Sequence, residues 1–170
     1  VSPVSVNVSR VTATQPDFVE YYGRIKSKFG IPDRFITLEF TESFAYENYE
    51  YLSDIITQLH NTGFLCSLDD FGTGYASLSY LNRLPIDLLK IDKSFIDQIN
   101  SDTNGNAFVK AIITMGHVLG CEVISEGVES DSQLDVLKGY ACDLLQGFLW
   151  GKPLSFEEAK QLAQKEPIPS

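Results

Sequence analysis

Asp69 and Asp70 are adjacent, end the apolar run Phe64–Leu68, and lead into a segment with two glycines, Gly72 and Gly74. Paired carboxylates in that position read as part of a divalent-metal site that works on phosphate esters. Within a regular strand, neighbours point to opposite faces. At a strand end the chain can turn and let both face one site, and one of the pair can then bridge two metals. Two metals together stabilise the attacking and leaving oxygens of an in-line phosphoryl displacement.

Other short apolar runs carry polar groups in the same way. Ile36, Leu38 and Phe40 alternate with Thr37, Glu39 and Thr41. Val4, Val6 and Val8 alternate with Ser5 and Asn7, and Phe64, Cys66 and Leu68 with Leu65, Ser67 and Asp69. Leu89 and Ile91 oppose Leu88, Lys90 and Asp92, while Val123 and Ser125 oppose Ile124 and Glu126. Gln146 shares a face with Leu144. A lone strand-end Asp or Asn is usually a turn residue or a helix N-cap. Six strands with polar groups on one face, all near their C-terminal ends, fit a site better, because parallel β/α folds place their chemistry there. Glu39, Asp69, Asp70, Asp92 and Glu126 would converge against Lys90 alone, and such charge requires protonation or bound cations. Carboxylates and the Asn7 amide oxygen are hard ligands suited to Mg²⁺ or Mn²⁺.

Gly72 and Gly74 allow backbone angles closed to other residues, so Asp70–Tyr75 reads as a functional loop beside the acids. Thr73, Ser77 and Ser79 can anchor it, and Glu42 can accept a hydrogen bond from it.

The elements that must position these groups alternate as in parallel β/α units. Strands are expected at Val4–Val8, Phe35–Thr41, Leu65–Asp69, Leu88–Asp92, Glu122–Glu126 and Leu144–Trp150. Pro16 suits a first helical turn, with Phe18, Tyr21, Tyr22 and Ile25 as its apolar stripe. Leu52, Ile55, Ile56 and Leu59 form a second stripe, ended by Gly63. Phe108, Ala111, Ile112, Met115 and Leu119 form a third, followed by Gly120. Ser130 with Gln133 and Ser155 with Glu158 fit capping boxes. No linker, repeat or low-complexity segment divides the chain, so 1–170 reads as one domain.

The 170 residues include 13 basic and 23 acidic ones, a net charge of −10. Most of this surface repels a nucleic-acid polymer, while a small phosphate ligand held by cations or backbone donors remains compatible with it. Cys66, Cys121 and Cys142 form no CxxC pair, so neither a disulfide framework nor a zinc ribbon is indicated. Cys66 reads as a core residue, and His60 and His117 as structural. With no apolar run long enough to span a bilayer, the domain is expected to be soluble and cytoplasmic.

Leu68-Asp-Asp-Phe-Gly-Thr-Gly-Tyr-Ala-Ser-Leu-Ser-Tyr-Leu81, Leu84-Pro85, Leu89-Lys-Ile-Asp-Lys-Ser-Phe95, Glu126-Gly-Val-Glu129, Gln146-Gly-Phe-Leu149 and Lys152-Pro-Leu154 resemble the EAL domain in order and spacing. That family comprises cyclic di-GMP phosphodiesterases. The resemblance implies an α/β, TIM-like β/α barrel that cuts cyclic di-GMP to linear pGpG with two Mg²⁺ or Mn²⁺ ions. By resemblance, Asn7, Glu39, Asp69 and Asp70 are metal ligands, with Asp69 the bridge. Glu126 resembles the residue that orients or deprotonates the attacking water, and Lys90 the lysine beside that water and the scissile phosphate. Asp92, Glu129 and Gln146 resemble site-lining or second-rank residues, and Glu42 the anchor of the DDFGTGY loop. The resemblance also implies a homodimer and an accompanying sensory or diguanylate cyclase domain.

The Glu-Ala-Leu motif that names the family, with its metal-binding glutamate, does not occur in the chain. About six strands are legible where a barrel of ~250 residues has eight. The expectation is therefore an N-terminally incomplete EAL-like domain, with exposed edge strands and apolar interior. A natural short form, its edges covered by a second copy, is the other explanation. The competing functional reading is a non-catalytic cyclic di-GMP receptor or protein-interaction module, disabled by the missing glutamate. An unrelated metal-dependent barrel enzyme that stabilises an enolate fits the EGVE and QGF motifs poorly.

Overall fold

The alternating apolar runs produce one sheet of six parallel strands in sequence order: β1 (Val4–Asn7), β2 (Ile36–Thr41), β3 (Leu65–Phe71), β4 (Leu88–Ile91), β5 (Glu122–Ser125) and β6 (Leu144–Leu145). The computed structural model describes residues 3–72, 81–100 and 103–165. The described helices are α1 (Arg10–Ala13), α2 (Phe18–Lys28), α3 (Glu42–Glu47), α4 (Tyr49–Asn61), α5 (Lys93–Ile96), α6 (Thr103–Val118), α7 (Asp131–Gly139) and α8 (Phe156–Lys165). Strands and helices make an open half-barrel of the expected α/β class.

Register decides which side chains share a face. Asn7 pairs with Glu39, Glu39 with Ser67, Ser67 with Leu88, Lys90 with Ile124 and Ile124 with Leu144. The polar alternation therefore lies on one face across the whole sheet. Leu38, Phe40, Cys66, Leu68, Leu89, Ile91 and Val123 alternate with these positions and are fully buried in the cores shared with the helices. Each such side chain contributes about 1.5–3 kcal/mol of burial. Interior positions Thr37, Ser67, Leu88 and Ile124 are also buried, whereas Val4 and Val6 on one edge and Leu144 on the other are exposed. The edges thus show the expected exposure, and the middle of the concave face does not, because neighbouring strands shield it.

Away from the Asp69–Asp70 pair, three elements differ from expectation. In α2, Tyr21 and Ile25 are exposed, and the Lys26 stem is buried instead. Its ammonium pairs with Asp33 and lies 6.0 Å from the Phe64 ring centroid, so a long aliphatic stem does a hydrophobe's work. In α6, Phe108 is exposed and Val109 and Ile113 are buried. Gly116 explains the rotation: a Cβ there would lie 2.4 Å from Val123, so the helix approaches β5 along its glycine. The run Leu144–Trp150 yields only a two-residue strand. Beyond it the Gly147 backbone lies so close to Val128 that a Cβ would meet its carbonyl oxygen at 2.1 Å, and the chain turns along that loop. The Ser130–Gln133 capping box forms as expected, and Ser155 and Glu158 bond each other reciprocally.

The histidines reveal a correspondence that the sequence pattern hides. His60 Nε2 lies 2.8 Å from Asp87 Oδ2, which also accepts the Cys66 amide at 2.8 Å. His117 Nε2 lies 2.7 Å from Asp143 Oδ2, which accepts the Val123 amide at 2.8 Å. Each latch ties a helix end, the following strand and the start of the next strand. Gly63 and Gly120, both at positive φ, sit three residues after their histidines. Carried forward, the match sets Asp69 against Glu126 and Lys90 against Gln146.

The latch predicts an acid response. Burial would raise the Asp143 carboxyl, but the Val123 amide and His117 outweigh it and hold it below the usual carboxylate range. Its stabilisation is complete above the unfolded value of about 4 and is lost as pH falls below it. Asp143→Asn should lower stability at pH 7 by about 1 kcal/mol and flatten the acid limb of a urea-midpoint titration. An unchanged acid limb would exclude the latch as its source.

Candidate functional site

Asp69 and Asp70 lie inside β3, and a β-bulge brings them together. Leu68 pairs with Leu89 and Phe71 with Ile91, so two residues of β3 face Lys90 alone. Asp70 adopts φ 57°, a left-handed conformation that Asp tolerates, and its amide donates to Asp69 Oδ1 at 3.0 Å. The expected turn is therefore a bulge within the strand, and regular pairing resumes at Phe71.

Opposite the bulge stands Lys90, its side chain 5% exposed. Its ammonium lies 2.9 Å from Glu39 Oε2, 3.0 Å from Asp69 Oδ1 and 2.7 Å from Glu126 Oε1. Four strands or strand ends thus deliver three carboxylates and one cation to a single point. Burial works against the charge of Lys90, but hydrogen bonds to Glu126, Glu39 and Asp69 prevail and lift it well above the usual lysine value. The Glu126 carboxyl is raised by burial and by the charges of Asp69 and Glu39, against the pull of Lys90. Asp70 is raised by burial and then by Asp69, Asp92 and Glu39, with Lys90 opposing.

Glu42, buried at the start of α3, accepts the Gly72 amide at 3.0 Å. Gly72 has φ 99°, and a Cβ there would lie 2.5 Å from the Phe95 ring. Both facts require glycine and fix how the chain leaves the bulge. Thr73, Gly74, Tyr75, Ser77 and Ser79 lie outside the described residues.

A model of the EAL domain family matches residues 1–153. The chain belongs to the EAL domain family. The signaling protein YkoW of Bacillus subtilis is 38% identical over 96% of this chain and 20% of its own length. MucR of Pseudomonas aeruginosa, a bifunctional diguanylate cyclase/cyclic di-GMP phosphodiesterase, is 37% identical over 91% of this chain and 23% of its own. The chain spans about a fifth of the length of these curated relatives. Among solved structures, the EAL domain of Mycobacterium smegmatis DcpA superposes with a TM-score of 0.90 at 37% identity, covering 98% of this chain and 75% of that one. The MucR phosphodiesterase in complex with c-di-GMP superposes at 0.87 and 36% identity, over 92% of this chain and 64% of that one. EAL domains have a TIM-barrel fold, which the six-stranded half-barrel shares.

The remaining residues of this EAL domain are more dispersed. Asn7 is exposed at the end of β1, beside Glu39 in register. Asp92 caps α5, its Oδ1 accepting the Ser94 amide at 3.0 Å, while its charge still reaches Asp70. Glu129 is exposed and pairs with Lys93 at 3.1 Å rather than with the Lys90 cluster. Gln146 is exposed, its backbone bonded to Ser125 and Val128, and it borders a cavity of about 500 Å³ with Trp150 and Lys152. Ser67 and Lys93 also belong to this region, without a sequence signal that singles them out. Ser67 is fully buried on the site face beside Glu39, and its hydroxyl has no partner among the described residues. The alternation already placed it there; its small size hid it.

Among the described residues no three His, Cys, Asp or Glu side chains are spaced to hold a metal ion as they stand. The ammonium of Lys90 occupies the centre of the triad. The donor set nevertheless fits a hard divalent cation, since every contributor is an oxygen ligand and Asp70 adds a further negative charge beside three carboxylates that share one cation. No helix among the described residues is long and apolar enough to cross a membrane.

Proposed function

We propose that this EAL domain hydrolyses cyclic di-GMP to linear pGpG by a two-metal mechanism. The observation that carries the reading is the Lys90 ammonium within 3.0 Å of Glu39, Asp69 and Glu126, beside the Asp69–Asp70 bulge at the C-terminal end of the sheet. Asn7, Glu39, Asp69 and Asp70 would hold two Mg²⁺ or Mn²⁺ ions. When bound, such ions acidify water and neutralise phosphoryl charge.

The protein's own groups divide the remaining work. Lys90 stays protonated through the neutral range, so it acts as a fixed cation toward the phosphate and not as a base. Glu126, raised above the usual carboxylate range, is the better proton acceptor and orients the attacking water. Its contact with Lys90 keeps that carboxylate aimed. Asp92, Glu129 and Gln146 line the approach, and Glu42 holds the loop through Gly72. The MucR complex with c-di-GMP and its bifunctional name support the substrate and an accompanying cyclase domain. A cytoplasmic domain acting as a homodimer completes the reading.

One observation favours a second reading, a non-catalytic cyclic di-GMP receptor: a lysine fills the point where the acids converge. Incubation of the chain with cyclic di-GMP and Mn²⁺, followed by chromatography for pGpG, separates the two. Metal-dependent pGpG supports the enzyme. Nucleotide binding by calorimetry without pGpG supports the receptor, and absence of both overturns each.

A further inference from the structure

Among the described residues the ion pairs of Lys93 are with Asp97 and Glu129 and not with the Lys90 cluster, yet it lies against the loop that delivers Glu126. Its ammonium is 2.6 Å from Asp97 and 3.1 Å from Glu129. Its stem runs flat along Gly127: a Cβ on that glycine would lie 2.4 Å from Lys93 Cγ and 2.7 Å from Cδ. Gly127 has φ 74°, and only glycine combines that angle with such close approach. The preceding amide, of Glu126, donates to Ile91 O at 3.2 Å, and the following one, of Val128, donates to Gln146 O at 3.0 Å.

We infer that Lys93 is a positioning residue for Glu126, bracing the Glu126–Glu129 loop against the start of α5. Exposed ion pairs of this kind contribute little by themselves. The brace is the aliphatic stem under the Gly127 peptide, and the pairs with Asp97 and Glu129 aim that stem. Without it, the Gly127 peptide loses the contact with the stem, while the Glu126 bond to Ile91 and the Val128 bond to Gln146 persist. The Glu126 carboxylate then swings away from Lys90 for part of the time, and catalysis suffers more than binding. The catalytic consequence rests on the phosphodiesterase reading; the brace does not.

The test compares Lys93→Ala, Lys93→Met and Lys93→Arg with the parent chain, using two readouts. In amide hydrogen exchange, Lys93→Ala should speed exchange at Glu126–Glu129 about tenfold and leave the β4 amides unchanged. In pGpG formation with Mn²⁺, Lys93→Ala should lower kcat about tenfold with KM unchanged, while Lys93→Arg restores it and Lys93→Met, which keeps the stem, loses less. Unchanged exchange at the loop in Lys93→Ala overturns the brace. Accelerated exchange with unchanged kcat overturns the catalytic role. If the parent chain makes no pGpG, the phosphodiesterase reading alone fails, and the exchange arm still decides the brace.

Discussion

Replacing Lys90 with methionine is expected to cost about 3–5 kcal/mol of folding stability at neutral pH. Methionine keeps the length and bulk of the stem. It removes the ammonium that lies within 3.0 Å of Glu39, Asp69 and Glu126. Three carboxylates then face one another, with Glu39 only 6% exposed. The Glu126 carboxyl is already raised by burial and by the charges of Asp69 and Glu39, and without Lys90 that rise is unopposed, so the destabilisation grows as pH rises through the acid range and is relieved as pH falls. The parent behaves differently. The raised lysine contributes fully below its unfolded value of about 10.4 and loses that contribution only in strong alkali. Urea unfolding at pH 5 and pH 7.5 separates the two: the deficit of Lys90→Met should shrink at the lower pH. Millimolar Mn²⁺ should restore more stability to the variant than to the parent, because a bound cation replaces the lost charge. A variant as stable as the parent at both values would show that the triad does not depend on this lysine.

How much of this centre is legible in the sequence follows from periodicity. Alternation with a period of two assigns Glu39, Asp69, Lys90 and Glu126 to one face; the parallel strands β2, β3 and β4 carry the first three, and Glu126 follows β5 directly. Alternation says nothing about bulges. Asp69 and Asp70 share a site because a two-against-one pairing sits opposite Lys90, and that depends on contacts between strands. Nor does it give distances. A lone lysine among acids reads as outnumbered, whereas the structure makes it the centre they share.

The helices teach the same lesson at a period near 3.6. Leu52, Ile55, Ile56 and Leu59 are a single unambiguous stripe, and all are buried. In α6 two stripes overlap, and tertiary approach at Gly116 selects the one through Val109 and Ile113. The latches at His60 and His117 leave no periodic signal for a related reason. Their matching positions are few and separated by unlike residues, so only a shared hydrogen-bond pattern reveals them. Asp92 shows the opposite case, where the ordinary role holds: it caps a helix, whatever else its charge does.

Asp69→Asn should separate catalysis from stability in the way that Lys90→Met cannot. Asparagine has the same shape and retains the oxygen that accepts the Asp70 amide, so the bulge keeps its local hydrogen bond. Lys90 retains Glu39 and Glu126, and two carboxylates against one ammonium leave less excess charge than three. Stability should therefore stay within about 1 kcal/mol of the parent. If Asp69 bridges the cations, pGpG formation with Mn²⁺ should fall at least about a hundredfold, and Mn²⁺ binding by calorimetry should weaken with it. Turnover within a few-fold of the parent would remove Asp69 from the metal assignment. Loss of the fold together with activity would instead show that the carboxylate charge holds the bulge, and that the acid facing Lys90 is a structural counter-ion first.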